Sequence, residues 1–142
     1  CEFDTGEGLA IDNPVVRSRL ATWAVRTSGL KYTAYRSISA LSKGQEPGPE
    51  NSIGKLVAGS TLQEIAMFAL DLQGQAGALV DPAQASAMAR FQAMLLRSPA
   101  TRIEGGTDEI LRNIIAERVL GLPPDMRADR GMPFNKIPTR VA

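Results

Sequence analysis

Between Arg102 and Asn113 the chain gathers polar chemistry around two adjacent glycines. Glu104 precedes Gly105-Gly106, and Thr107, Asp108 and Glu109 follow. The glycine pair frees the backbone for positive φ or for close approach to another surface. Thr107 is placed to cap a helix whose first turn carries Asp108 and Glu109, where the helix dipole favours negative charge. Ile110, Leu111, Ile114, Ile115 and Val119 then recur at helical spacing to Leu120. Gly121 with Pro123-Pro124 beyond it supplies the stop. The N–H groups of a helix start suit phosphate, yet the two carboxylates add negative charge there. A plain interhelical corner with Thr107 as its N-cap would be specified in the same way.

Three further helices are expected to position that corner. Asn13-Pro14 is a helix start, with a capping side chain and proline at the first helical position. Val16, Leu20, Trp23, Thr27, Leu30, Ala34, Ile38 and Leu41 keep three-four spacing and predict one long helix with a buried stripe. Arg17, Arg19, Arg26, Lys31, Arg36 and Lys43 fall largely off that stripe, as a solvated face. Gly44 to Pro49 separates this helix from a second one, with Pro49 and Glu50 in its first turn, running to about Leu72. Gly54, Ala58, Gly59, Ser60 and Thr61 make its first half thin, open to a close neighbour helix or an extended ligand. A third helix is expected from Pro82 to Arg97, ended by Ser98-Pro99, with Met88, Phe91, Met94, Leu95 and Leu96 as adaptable core filling. No strand alternation persists. The class is all-α, an antiparallel up-and-down helical bundle. Residues 1–12 form a loose lead-in, 13–124 the bundle, and 125–142 an extended arm over its surface.

Composition narrows the chemistry. The 142 residues fit one domain. Sixteen basic residues against fifteen acidic ones give no electrostatic case for nucleic acid or a membrane surface as the main partner. With no histidine and one cysteine, Cys1, histidine triads, disulfides and Cys/His zinc sites are excluded, and no metal site is expected. No apolar run approaches the ~20 residues of a membrane span. A reduced, cytoplasmic setting is expected. Cys1 could be the start of a lipid-anchored lipoprotein, but a piece of a longer polypeptide is the preferred reading.

The run Ile103 to Pro123 resembles the C-terminal signature of the acyl-CoA dehydrogenase family, which reads close to I-[YE]-[EG]-G-T-x-E-I-x-R-N-I-I-A-E-R-V-L-G-L-P. Asn13 to Leu20 and Glu46 to Leu56 are similar to the first two helix starts of that family's C-terminal domain, and Arg130 to Phe134 to its closing arm. The resemblance covers most of residues 13–138, in order, and is strongest to the actinobacterial branch. It implies a three-domain FAD enzyme that removes an α-proton from an acyl-CoA with a glutamate. The β-hydrogen passes to the flavin and electrons leave to an electron-transfer flavoprotein. This chain resembles only the last domain, without the bundle's first helix and the Arg-x-x-Phe-Gly segment. The chain alone is expected to be inactive, either as part of a larger dehydrogenase or as a non-catalytic subunit in a homo- or hetero-oligomer.

Carried onto these residues, the resemblance puts Gly105 where much of the family has its base. Glu104, one residue earlier, is the remaining candidate, since two flexible glycines could bring it to the thioester. It could equally pair with Arg102 or Arg112 as a structural carboxylate. Family analogy places Thr107 and Glu109 near the flavin. It also equates Asp71-Leu72-Gln73-Gly74-Gln75-Ala76-Gly77 with a Gln-x-x-Gly-Gly-x-Gly turn that reaches FAD across a subunit interface. Asp71 and Gln75 depart from that pattern, so Asp71 and Gly74 are either cofactor contacts or a glycine-ended helix corner.

Overall fold

The computed structural model describes residues 3–6, 8–124 and 131–137. Its frame is four α-helices: α1 Pro14–Ser42, α2 Asn51–Gln73, α3 Arg90–Ile103 and α4 Asp108–Ile114. The all-α expectation holds; the only β pairing among the described residues is an isolated bridge between Asp4 and Leu9.

α1 begins as its sequence dictates, with the Asn13 side chain accepting from the Val15 N–H at 2.9 Å and Pro14 in the first turn. Gly44 (φ 70°) ends it. The N–H of Gly44 bonds to Leu41 C=O and that of Gln45 to Ala40 C=O, a Schellman closure that satisfies two terminal carbonyls. α2 runs antiparallel to α1: Trp23 and Arg26 meet Glu64, Trp23 meets Phe68 edge-on at 5.3 Å, and Ser37 near the far end bonds Asn51. The apolar stripe of α1 is only half used. Val16 and Trp23 are buried, whereas Ile38 and Leu41 are exposed.

α3 lies antiparallel on α2 from Gln92, which donates to Gln73 and to Gly77 C=O, to Arg102, which donates to Gln63. Two expectations are corrected here. The third helix starts at Arg90, not Pro82, because Ala87, Met88 and Ala89 take left-handed φ of 51–55° and break the alanine-rich run. Such a conformation costs an L-residue roughly 1–2 kcal/mol. The helix also passes through Ser98-Pro99 to Ile103. Pro99 cannot donate to Leu95 C=O, and the fully buried Ser98 hydroxyl bonds that carbonyl instead, at 2.8 Å.

α4 gives way at Ile115–Val119 to a wider π turn, closed by Leu120 N–H on Ile115 C=O before Gly121 (φ 67°). Ala10 N–H bonds Phe3 C=O at 2.8 Å, a 3-10 turn spans Ala10–Asp12, and Ala10 is buried. The expected arm at 125–142 falls largely outside the described residues; within it, Phe134–Lys136 form a 3-10 turn. Cys1 also lies outside them.

Candidate functional site

The corner between α3 and α4 is held from two sides. Glu104 leaves α3 with extended backbone, its N–H still bonded to Ala100 C=O, and Gly105 (φ 66°) and Gly106 (φ 104°) turn the chain through conformations that favour glycine. On one side the Lys55 ammonium of α2 donates to Gly106 C=O. On the other, Arg102 bridges three helices. Its Nε lies 2.7 Å from Asp108 Oδ2, and its Nη1 lies 2.7 Å from Gln63 Oε1 on α2. Arg102 comes this close because position 59 is glycine: a Cβ there would sit 3.3 Å from Arg102 Cγ.

Thr107 caps α4 as expected, its hydroxyl oxygen accepting from Ile110 N–H at 3.3 Å. Glu109 is exposed. Its own backbone N–H and the Thr107 hydroxyl donate to its carboxylate and hold the group below the ordinary glutamate value, with Arg112 adding to the effect against Asp108. Asp108 is the buried acid of the corner, only 3% exposed, and its second oxygen has no protein partner.

Glu104 pairs with neither Arg102 nor Arg112. Arg102 is committed to Asp108, and Glu104, at the C-cap of α3, is exposed and bound to Arg97 about two turns back along the helix. The carboxylate borders an apolar groove of about 450 Å³, lined by Lys55, Ala58, Gly59, Leu62 and Thr101 as well. The thin half of α2 and the glycine turn thus face the same space. Thr107 and Glu109 border a separate cleft with Gln63 and Arg102.

Asp71 and Gly74 are elsewhere. They close the far end of α2, about 22 Å along the helix from Gly59 at 1.5 Å per residue. Asp71 C=O accepts from Gly74 N–H, and Gly74 takes φ 55°, ψ −133°. Gly77 is fixed by packing, since a Cβ there would lie 2.7 Å from Leu70 O. Sequence reasoning did not single out Lys55, Gln63 or the Arg102–Asp108 pair. The signal available was a lysine in the thin half of α2 and an Arg/Asp pair straddling the two glycines.

Residues 4–120 match the family described as acyl-CoA dehydrogenase, C-terminal domain, and the chain belongs to it. It is 36% identical over 119 residues to acyl-CoA dehydrogenase IpdE1 of Mycolicibacterium smegmatis, covering 83% of this chain and 28% of that protein. It is 35% identical to IpdE1 of Mycobacterium tuberculosis over 123 residues, covering 83% of this chain and 29% of that protein. Its backbone superposes on the crystal structure of the ChsE4-ChsE5 complex from Mycobacterium tuberculosis with a TM-score of 0.73 at 27% identity, covering 86% of this chain and 32% of that one. The chain thus spans less than a third of the curated relatives it matches. Among the described residues, no helix is long and apolar enough to cross a membrane.

Proposed function

We propose that the chain serves as the C-terminal bundle domain of a flavin-dependent acyl-CoA dehydrogenase, walling the acyl and flavin site and contributing to the oligomer interface. The observation that carries this reading is the apolar groove between the thin half of α2 and the Glu104–Gly105 turn. It offers an acyl body a close backbone wall with little polar surface, at the corner where the family motif lies. Glu104 is a rim residue in this reading. To act as the base it would have to leave Arg97 and turn on the two glycines.

The α4 corner fits a hydroxyl-bearing part of FAD better than its pyrophosphate. Asp108 and Glu109 are both acidic, α4 has only seven residues, and the Thr107 hydroxyl is already engaged. Glu109 would accept from a sugar hydroxyl there, and Asp71 and Gly74 would approach the cofactor of a neighbouring subunit. Bound FAD would supply the hydride acceptor, and electron-transfer flavoprotein would take the electrons.

The test is a complete dehydrogenase assembled with this domain. It should bind FAD stoichiometrically and reduce dye with an acyl-CoA, while the 142-residue chain alone should retain little flavin and show no turnover. A complete protein that binds no flavin would reject the reading.

A second reading, a non-catalytic partner in a heteromeric dehydrogenase, is favoured by Gly105 at the family's base position and by the likeness to a two-protein complex. Activity that appears only on co-expression with a second dehydrogenase subunit, and survives Glu104→Gln, would select it.

A further inference from the structure

One side chain touches both cavities of the glycine corner. The stem of Arg102 packs behind Gly59, whose backbone lines the groove beside Glu104; a Cβ at position 59 would lie 3.3 Å from Arg102 Cγ. Its guanidinium borders the cleft that also holds Gln63, Thr107, Asp108 and Glu109. The guanidinium is fixed at two points. Nε and Nη2 both meet Asp108 Oδ2, at 2.7 and 2.5 Å, and Nη1 meets Gln63 Oε1 at 2.7 Å. Each contact of this bridge is internal to α2, α3 and α4.

We propose that Arg102 is a positioning residue that sets the acyl groove against the flavin-side cleft. The inference rests on the dehydrogenase reading and gives one residue a task within it. In that reaction the α-proton goes to a base and the β-hydrogen leaves as hydride for the flavin, so acyl chain and flavin have to be held at a fixed spacing. A misplacement of about 1 Å, even from a change far from the reacting atoms, can cost about 10²-fold in rate. Here the backing of the groove and the wall of the cleft are the same side chain, so neither shifts without the other. Arginine suits the task because its planar, rigid fork holds Asp108 and Gln63 at once, whereas a lysine ammonium is a point charge on a flexible stem. A buried ion pair is a weak source of net stability compared with a well-packed apolar pair of similar volume. What the Arg102–Asp108 pair adds is direction: it ties the start of α4, where Thr107 and Glu109 stand, to the thin half of α2.

The test uses the complete dehydrogenase with two substitutions made separately. Arg102→Lys keeps the charge and the stem but not the fork; Gln63→Leu is milder and frees only the α2 end of the bridge. Two signals are followed. One is the limiting rate of flavin reduction by octanoyl-CoA, separated from its half-saturating concentration. The other is the shift of the flavin absorption spectrum when the α,β-unsaturated octenoyl-CoA binds without reducing it. With flavin content retained, both variants should lower the limiting rate by about tenfold or more, leave half-saturation within about threefold and shrink the spectral shift. A purely structural role would lower the melting temperature or the flavin content while the flavin-loaded fraction kept its rate and spectrum, and that result overturns the proposal. Should Arg102→Lys fail to hold flavin, Gln63→Leu decides alone. A parent enzyme that binds no flavin rejects the dehydrogenase reading, and the inference falls with it. A flavin-loaded parent whose spectrum ignores octenoyl-CoA places the acyl chain away from this corner and overturns the inference only.

Discussion

One nitrogen of Arg97, Nη2, lies 2.8 Å from both carboxylate oxygens of Glu104. The Glu104 carboxylate is thus engaged by a cation from the helix it caps, with both side chains more than half exposed. An exposed pair of this kind is worth at most about 1 kcal/mol, so Arg97→Ala should barely change stability. In a complete dehydrogenase, Glu104→Gln is expected to leave kcat within about threefold. Losing a general base costs about 10²–10⁴-fold, so a fall of that size with flavin and fold intact would make Glu104 the base.

The Arg102–Asp108 pair should behave differently. Asp108 is nearly enclosed, and Arg102 also joins α2 through Gln63. Arg102→Ala would leave the buried Asp108 carboxylate without its arginine, a loss of about 2–4 kcal/mol after allowing for the half-exposed arginine. The comparison is Arg26→Ala, which breaks a more open pair with Glu64 and should cost less than about 1 kcal/mol. Urea unfolding of both variants measures the difference; equal losses would show that the corner is not locked by this pair.

The starts of α1 and α4 were legible because each rests on local chemistry: Asn13 with Pro14, and Thr107 ahead of two acids. The end of α1 at Gly44 was legible for the same reason. What failed was non-local or hidden in a single hydroxyl. Ser98-Pro99 reads as a terminator until the Ser98 hydroxyl is seen to take over the Leu95 carbonyl. Ala87, Met88 and Ala89 are good helix formers by propensity, and nothing in their sequence announces left-handed backbone. At the candidate site, the capping role of Thr107 followed from its position. The partner of Glu104 did not, because Asp108 competes for Arg102 across a turn whose path is set by Lys55, Gln63 and Gly59.

Two glycines that look alike in sequence should respond oppositely to alanine. Gly29 lies in the middle of α1, exposed, with nothing near its missing Cβ. Gly29→Ala should therefore stabilise by up to about 1 kcal/mol through helix propensity. Gly77→Ala would drive a methyl to 2.7 Å from the Leu70 carbonyl oxygen, a backbone atom that cannot step aside. A loss of about 1–3 kcal/mol is expected there. Thermal melts of the two variants moving in the same direction would contradict the packing described at the end of α2.

The Glu109 carboxyl is held below its ordinary value of 4.5 by donors present only in the folded corner. Its contribution to stability is therefore present above about pH 4.5 and fades as pH falls through the lower native value. A carbon-13 titration should place Glu109 below the other exposed glutamates. Thr107→Val removes one of the two donors, so it should raise the Glu109 midpoint towards 4.5. It should also cost about 1 kcal/mol at neutral pH through the lost cap. An unmoved midpoint would mean that the hydroxyl does not reach the carboxylate.

Ser98 and Pro99 should be coupled, since one repairs what the other breaks. Ser98→Ala alone leaves the Leu95 carbonyl without its donor from the fully buried Ser98 hydroxyl and should cost about 1–3 kcal/mol. Pro99→Ala alone restores an N–H to a carbonyl that is already satisfied, so its gain should be modest. In the Ser98→Ala background the same N–H meets an orphaned acceptor, and Pro99→Ala should recover most of the loss. The double-mutant cycle should then show a coupling of about 1 kcal/mol or more. Simple additivity would mean that the hydroxyl is not what carries α3 through the proline to Ile103, and with it to the start of the glycine corner.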